Sequence, residues 1–133
     1  MRRYGVVVVA ALIWREGSLL IAQRKKDASH PLKWEFPGGK VERGETPREA
    51  LERELEEELC IQANVGEEVI RYEYSYSGKA PLLLIFCSVT EFHGEPQNLV
   101  FEQIRWEKPA NLPDYDFLDG DKDIVDRLAR GGL

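Results

Sequence analysis

At 133 residues and 43% hydrophobic residues, the chain is long enough to bury a core without disulfide or metal staples and short enough to read as one domain, residues 1–133. A formal net charge of −6 argues against a nucleic-acid polymer as partner, because such binders carry a basic stripe; an acidic protein still takes an anionic nucleotide where metal ions bridge the charges. Its two cysteines, Cys60 and Cys87, supply no disulfide framework and read as small buried apolar residues in a reducing compartment.

In chain order, Met1-Arg2-Arg3 followed by an apolar run to Trp14 has the charge order of a signal peptide. Arg15-Glu16-Gly17 stands where a small-residue cleavage site is needed, and the run is far too short to span a membrane. It predicts a buried strand over Tyr4–Trp14, turning at Glu16-Gly17 into a second strand, Ser18–Gln23, and the expectation is a cytoplasmic protein with no membrane partner. Arg24 to Lys33 is a polar loop containing Pro31. After the Pro37-Gly38-Gly39 turn, Thr46 as N-cap, Pro47 at the first helical position and Glu49 three residues beyond Thr46 predict a capped helix from Pro47 to Leu59. Ile61 to Tyr76 alternates irregularly, with Val69, Ile70, Tyr72 and Tyr74 favouring extended structure. Ser77–Ala80 is a turn and Pro81–Val89 a buried central strand. His93-Gly94-Glu95-Pro96 is another turn, a strand centres on Ile104–Trp106, and Lys108–Tyr115 is a connector. Asp121–Leu128 closes as an amphipathic helix with Ile124, Val125 and Leu128 on one face. His30 and His93 lack the partner spacing of a metal site and read as surface residues.

The chemistry concentrates in the capped helix. Leu51, Leu55 and Leu59 form its buried stripe, and Glu54, Glu57 and Glu58 share an adjacent face at spacings of three and four. Like charges at that spacing destabilise a helix by about 0.2–0.5 kcal/mol per pair, so the cluster costs folding energy unless a cation sits in it. Carboxylate oxygens are what Mg²⁺ or Mn²⁺ prefers, and the small Ala50 leaves room one turn earlier. Glu49, Glu52 and Glu56 point away from the cluster and read as solvated.

The stretch WEFPGGKVERGETPREALERELEEELCI resembles the Nudix box: a glycine, five residues, a glutamate, seven residues, then R-E-U-x-E-E-x-G-U with U aliphatic. Gly39, Glu45, Arg53, Glu54, Leu55, Glu57, Glu58 and Ile61 match; Cys60 stands where the family has glycine, which puts a left-handed backbone on a residue with a side chain. The flanking WEFPGGK and ERGETP are similar to MutT-type members, which cleave nucleoside triphosphates. The resemblance implies a mixed α/β fold with a mixed sheet between helices. It implies that Glu54, Glu57, Glu58 and the Gly38 carbonyl hold Mg²⁺, with Mn²⁺ as the other candidate. Arg53 and Glu45 would orient the glutamates, and Glu54 or Glu102 would take the proton. It places Arg24 and Phe36 against the nucleotide, Lys79 near it, and Asp121 at the base edge. The residues alone leave alternatives for these four: solvation for Arg24 and Lys79, core packing for Phe36, helix capping for Asp121.

The leading expectation is thus a metal-dependent pyrophosphohydrolase of a (deoxy)nucleoside triphosphate, oxidised or methylated bases included. Its rivals are a hydrolase of diphosphate-linked compounds, such as a nucleotide sugar or dinucleoside polyphosphate, and a noncatalytic nucleotide-binding module. The sequence leaves open base preference and the choice between monomer and homodimer.

Overall fold

The computed structural model describes residues 5–133. Its elements are β1 (Val6–Arg15), β2 (Ser18–Gln23), β3 (Trp34–Glu35), β4 (Gly38–Lys40), α1 (Pro47–Leu59), β5 (Gln62–Asn64), β6 (Glu68–Tyr74), β7 (Leu82–Val89), β8 (Glu91–His93), β9 (Gln103–Glu107), 3₁₀ turns at Pro109–Asp114 and Asp119–Asp121, and α2 (Lys122–Ala129). Tyr4, the expected start of the first strand, and the basic Met1–Arg3 lie outside the described residues.

The apolar run of β1 is explained by burial on both faces. Val9, Ala11 and Ile13 pack with Leu51, Leu55 and Leu59 of α1 on one side, while Ala10 and Leu12 pack with Ile124, Val125 and Leu128 of α2 on the other. The result is a mixed sheet between two helices, as the fold class predicts. β7 runs parallel to β1, from Val6↔Leu82 to Ile13↔Val89, and antiparallel to β6, so it is the covered central strand its sequence suggests. On its other edge β1 changes partner. Val8, Val9 and Ala10 pair with β4, whereas Trp14 and Arg15 pair with β2, which carries β3 and β9 away in a second branch of the sheet.

The irregular stretch before Tyr76 resolves into two pieces. β5 pairs with β8 in a separate two-stranded ribbon, and β6 joins the main sheet with a register shift between Glu68 and Ile70. α1 has its expected bounds and capping box, with the Thr46 hydroxyl accepting the Glu49 N–H (3.1 Å) and the Glu49 carboxylate accepting the Thr46 N–H (2.9 Å). α2 begins one residue later than expected, and Asp121 makes no side-chain cap bond, so capping is not what that residue does. Among the described residues no helix is long and apolar enough to cross a membrane.

Cys87 is buried, but Cys60 is exposed and corrects its expected place in the core. It follows the last residue of the buried stripe, and its backbone (φ 57, ψ 37) turns left-handed to close the helix, its N–H donating to the Glu56 carbonyl. That conformation costs a side-chain-bearing residue roughly 1–2 kcal/mol. Cys60→Gly is therefore expected to raise stability by about 1 kcal/mol with turnover unchanged, read by denaturant melts and steady-state rates. A large rate loss would show that Cys60 takes part in the chemistry.

Candidate active site

A cleft of about 740 Å³ opens where β1 and β4 meet the loop Arg24–Lys33, the β6–β7 turn and the 3₁₀ turn at Asp119–Asp121. Its apolar wall is the Val8, Ala10, Leu84, Phe86 face of the sheet, and the Gly38-Gly39 pair and Glu58 also line it. Gly38 lets β4 lie against β1, since a Cβ there would run into the Val9 carbonyl and Ala10. Gly39 makes room for a carboxylate, because a Cβ on it would occupy the place of the Glu54 carboxyl group.

Arg53 organises the glutamate end. Its Nε and Nη2 donate to the two Glu45 oxygens (2.7 and 2.9 Å), Nη2 also reaches the Lys40 carbonyl (3.2 Å), and Nη1 donates to Glu54 (2.8 Å) and Glu57 (3.5 Å). The Arg53 bonds and the Glu42 N–H together lower the Glu45 carboxyl to about 2. Glu54 is drawn in, its side chain 16% exposed, whereas that of Glu57 is 59% exposed. Glu58 accepts the Gly38 N–H (3.2 Å) and lies against Glu54. Burial, then the charges of Glu54 and Glu35, push the Glu58 carboxyl up to about 9. Burial also raises Glu54, with Arg53 pulling it back. The structure thus brings Glu54 and Glu58 together. Among the described residues no three acidic, histidine or cysteine groups enclose an ion as they stand, since Glu57 turns outward to Arg53.

The donor set nevertheless fits a hard divalent cation. Of these two carboxyls Arg53 offsets the charge of Glu54 alone, so Glu58 ionises beside Glu54 only with a further positive charge on its side, and carboxylate and carbonyl oxygens are the ligands a hard cation takes. Glu57 lies on the same helix face, three residues after Glu54 and next to Glu58.

Asp121 also lines the cleft and is the one acidic or basic side chain among the described residues that is buried. Burial first, then the Glu35 charge, raise its carboxyl to about 8, against a backbone hydrogen bond from Phe36. Phe36 is both core and cleft wall, packed on Phe117 (5.3 Å between ring centroids) and edge-on to Phe86 (6.2 Å). Lys79 is an exposed residue of the β6–β7 turn that reaches the rim. Arg24 lines the wall and is bonded to Ser29 and Glu35. Glu102 is exposed, its N–H bonded to the Gln23 carbonyl, and it lies outside the cleft lining although Val100 and Phe101 are within it.

Two site residues escaped the sequence reading. Glu35 lies close enough in charge to raise both Glu58 and Asp121; an acid between the aromatics Trp34 and Phe36 was the available signal. Tyr76 packs at a tilt against His30 (4.9 Å between centroids, 42° between planes), both lining the cleft, and its hydroxyl accepts the Gly120 N–H (3.2 Å). Nothing local in the sequence marks it.

With this geometry in hand, likeness to known proteins is informative. The chain is 39% identical over 121 residues to a CTP pyrophosphohydrolase of Escherichia coli K12, covering 91% of this chain and 89% of that one. It is 35% identical over 124 residues to an 8-oxo-dGTP diphosphatase of Haemophilus influenzae, covering 92% and 90%. A solved structure from work on MutT of Aliivibrio salmonicida and Vibrio cholerae superposes with a TM-score of 0.78 at 31% identity, covering 95% of this chain and 98% of that one. The family model described as NUDIX domain matches residues 3–128, and the chain belongs to that family.

Proposed function

We propose that this chain hydrolyses a (deoxy)nucleoside triphosphate to the monophosphate and pyrophosphate, using Mg²⁺ or, as second choice, Mn²⁺. The observation that carries the proposal is that one cleft is lined by Gly38, Gly39 and Glu58, with Glu54 packed behind them, and also by Phe36 and the buried Asp121. A nucleotide in such a cleft would set its phosphates at the glutamate and glycine group and its base against Phe36 and Asp121. The relatives named for CTP and 8-oxo-dGTP support a triphosphate substrate with the base left open. A cytoplasmic location agrees with such a substrate.

Glu54, Glu57, Glu58 and the Gly38 carbonyl would hold the cation, which supplies charge neutralisation of the phosphate oxygens and a more acidic water. Arg53, anchored by Glu45, fixes the rotamer of Glu54 at the Gly39 surface. Glu54 is the better placed of the two candidate bases, since it lies against Gly39 and Glu58, which line the cleft, whereas Glu102 is an exposed residue whose N–H is bonded to the Gln23 carbonyl. Phe36 and Asp121 would seat the base, and Arg24 and Lys79 the nucleotide beside it.

A substrate panel in ¹⁸O-labelled water tests this reading. The expected result with Mg²⁺ is monophosphate and pyrophosphate in equal amounts, no diphosphate intermediate, and no turnover after chelation. Orthophosphate and diphosphate from every triphosphate would overturn it. Cleavage confined to nucleotide sugars or dinucleoside polyphosphates would transfer the site to diphosphate-linked substrates, and tight binding without cleavage would make it a noncatalytic module.

A further inference from the structure

The loop Arg24–Lys33 is held at its root by its first residue. The Arg24 N–H donates to the Lys33 carbonyl (2.9 Å) and the Arg24 carbonyl accepts the Leu32 N–H (3.2 Å), closing the loop like the end of a hairpin. The side chain then ties the interior. Nε donates to the Ser29 carbonyl (2.7 Å), Nη2 to the Ser29 hydroxyl (2.8 Å) and Nη1 to the Glu35 carboxylate (3.1 Å). Three of the five guanidinium N–H groups are so committed, and one on each Nη is left over.

Glu35 is placed for this task. It sits in β3, opposite Ala22 of β2, with its side chain 17% exposed, so strand pairing fixes its backbone and burial restricts its rotamers. Burial raises its carboxyl, and Arg24 opposes that, so the guanidinium is what keeps a negative charge tolerable there. A half-buried arginine held on two sides by acceptors has lost its rotamer freedom before any ligand arrives, which lowers the entropy lost on binding.

We propose that Glu35 is a positioning residue for substrate binding: together with Ser29 it locks the Arg24 guanidinium onto the cleft wall with two N–H groups left to meet the nucleotide. The proposal rests on the nucleotide reading above and extends it to two residues outside the Nudix-like stretch's glutamate helix. Its consequence is that binding, not the chemical step, depends on Glu35.

Steady-state kinetics on the triphosphate, with ¹⁵N NMR of the Arg24 Nε–H in the free protein, test it. Glu35→Ala is expected to raise KM about tenfold with kcat within about twofold of the parent. Glu35→Gln keeps an oxygen for Nη1 and is expected to restore most of that loss. In the Arg24→Ala background, Glu35→Ala should add nothing, because the group it positions is gone. The Nε–H signal should be sharp in the parent and in Glu35→Gln and broadened or lost in Glu35→Ala. If Glu35→Ala folds poorly, Ser29→Ala on the exposed loop removes one acceptor and should raise KM about threefold with an unchanged melting temperature. A fall in kcat at constant KM, equal damage from Ala and Gln, or full additivity with Arg24→Ala would each overturn the proposal. Failure to cleave any triphosphate would instead sink the functional reading, and the NMR arm would then decide the Arg24 grip by itself.

Discussion

Glu57→Gln and Glu58→Gln are each expected to lower kcat by about 10²-fold or more while the protein stays folded. Both changes keep size and hydrogen-bonding shape and delete a ligand charge, so they act on the cation and not on the packing of Leu55 or Leu59, which remain buried behind them. Full turnover in either variant would remove the metal site from the account. A second readout comes from the cation-free protein. Glu58 is held at about 9 in the fold against an ordinary 4.5, so the folded chain keeps a proton that the unfolded chain gives up between those values. The sign follows: the contribution is full below about pH 4.5 and is lost as pH rises toward 9. Asp121, raised to about 8 from 3.8, adds a contribution of the same sign. Glu45, lowered to about 2, contributes in the opposite sense, present above pH 4.5 and lost as pH falls toward 2. Thermal melts in chelator should therefore show falling stability from pH 5 to 9, and Glu58→Gln should flatten that slope. A slope unchanged by Glu58→Gln would mean that the carboxyl is not perturbed by its neighbours.

Local interactions make most of α1 legible in the sequence. Thr46, Pro47 and Glu49 act within one turn, the leucine stripe is set by helical period, and even the left-handed turn at Cys60 followed from a missing glycine. The strands β1, β2 and β7 were legible for the same reason, since being covered on both faces leaves a continuous apolar signature. What escaped depends on partners distant in sequence. β3 and β4 are two and three residues long and exist only because β2 and β1 pair with them. Asp121 is buried with the distant Phe36 backbone as hydrogen-bond partner and makes no cap bond in its own helix, so the local sequence alone reads equally well as a cap. Glu35 and Tyr76 enter the site through Arg24 and Gly120. The three-glutamate cluster was legible as a face and not as an arrangement, because the rotamer of Glu57 is decided by Arg53.

The neighbouring glycines of β4 separate chemistry from folding. Gly39→Ala is expected to cut kcat by about 10²-fold with little change in melting temperature, and Gly38→Ala to destabilise the protein by about 1–3 kcal/mol. The two differ in what the new methyl group meets. At Gly39 it meets the end of the Glu54 side chain, which can swing aside at small cost to the fold. Swinging aside moves the carboxylate off the Gly39 surface and away from Glu58, so the cation would lose a ligand while Leu51 and Leu55 stay packed. At Gly38 the obstacle is the backbone of β1, the Val9 carbonyl and Ala10, on a residue whose φ of 155 suits glycine. Backbone in the middle of the sheet cannot yield without breaking the Ala10↔Gly38 and Val9↔Gly39 pairing. Denaturant melts beside single-turnover rates separate the two effects. Normal turnover in Gly39→Ala would show that Glu54 works from some other position, and an unshifted melt in Gly38→Ala would show that β4 is free to move away from β1.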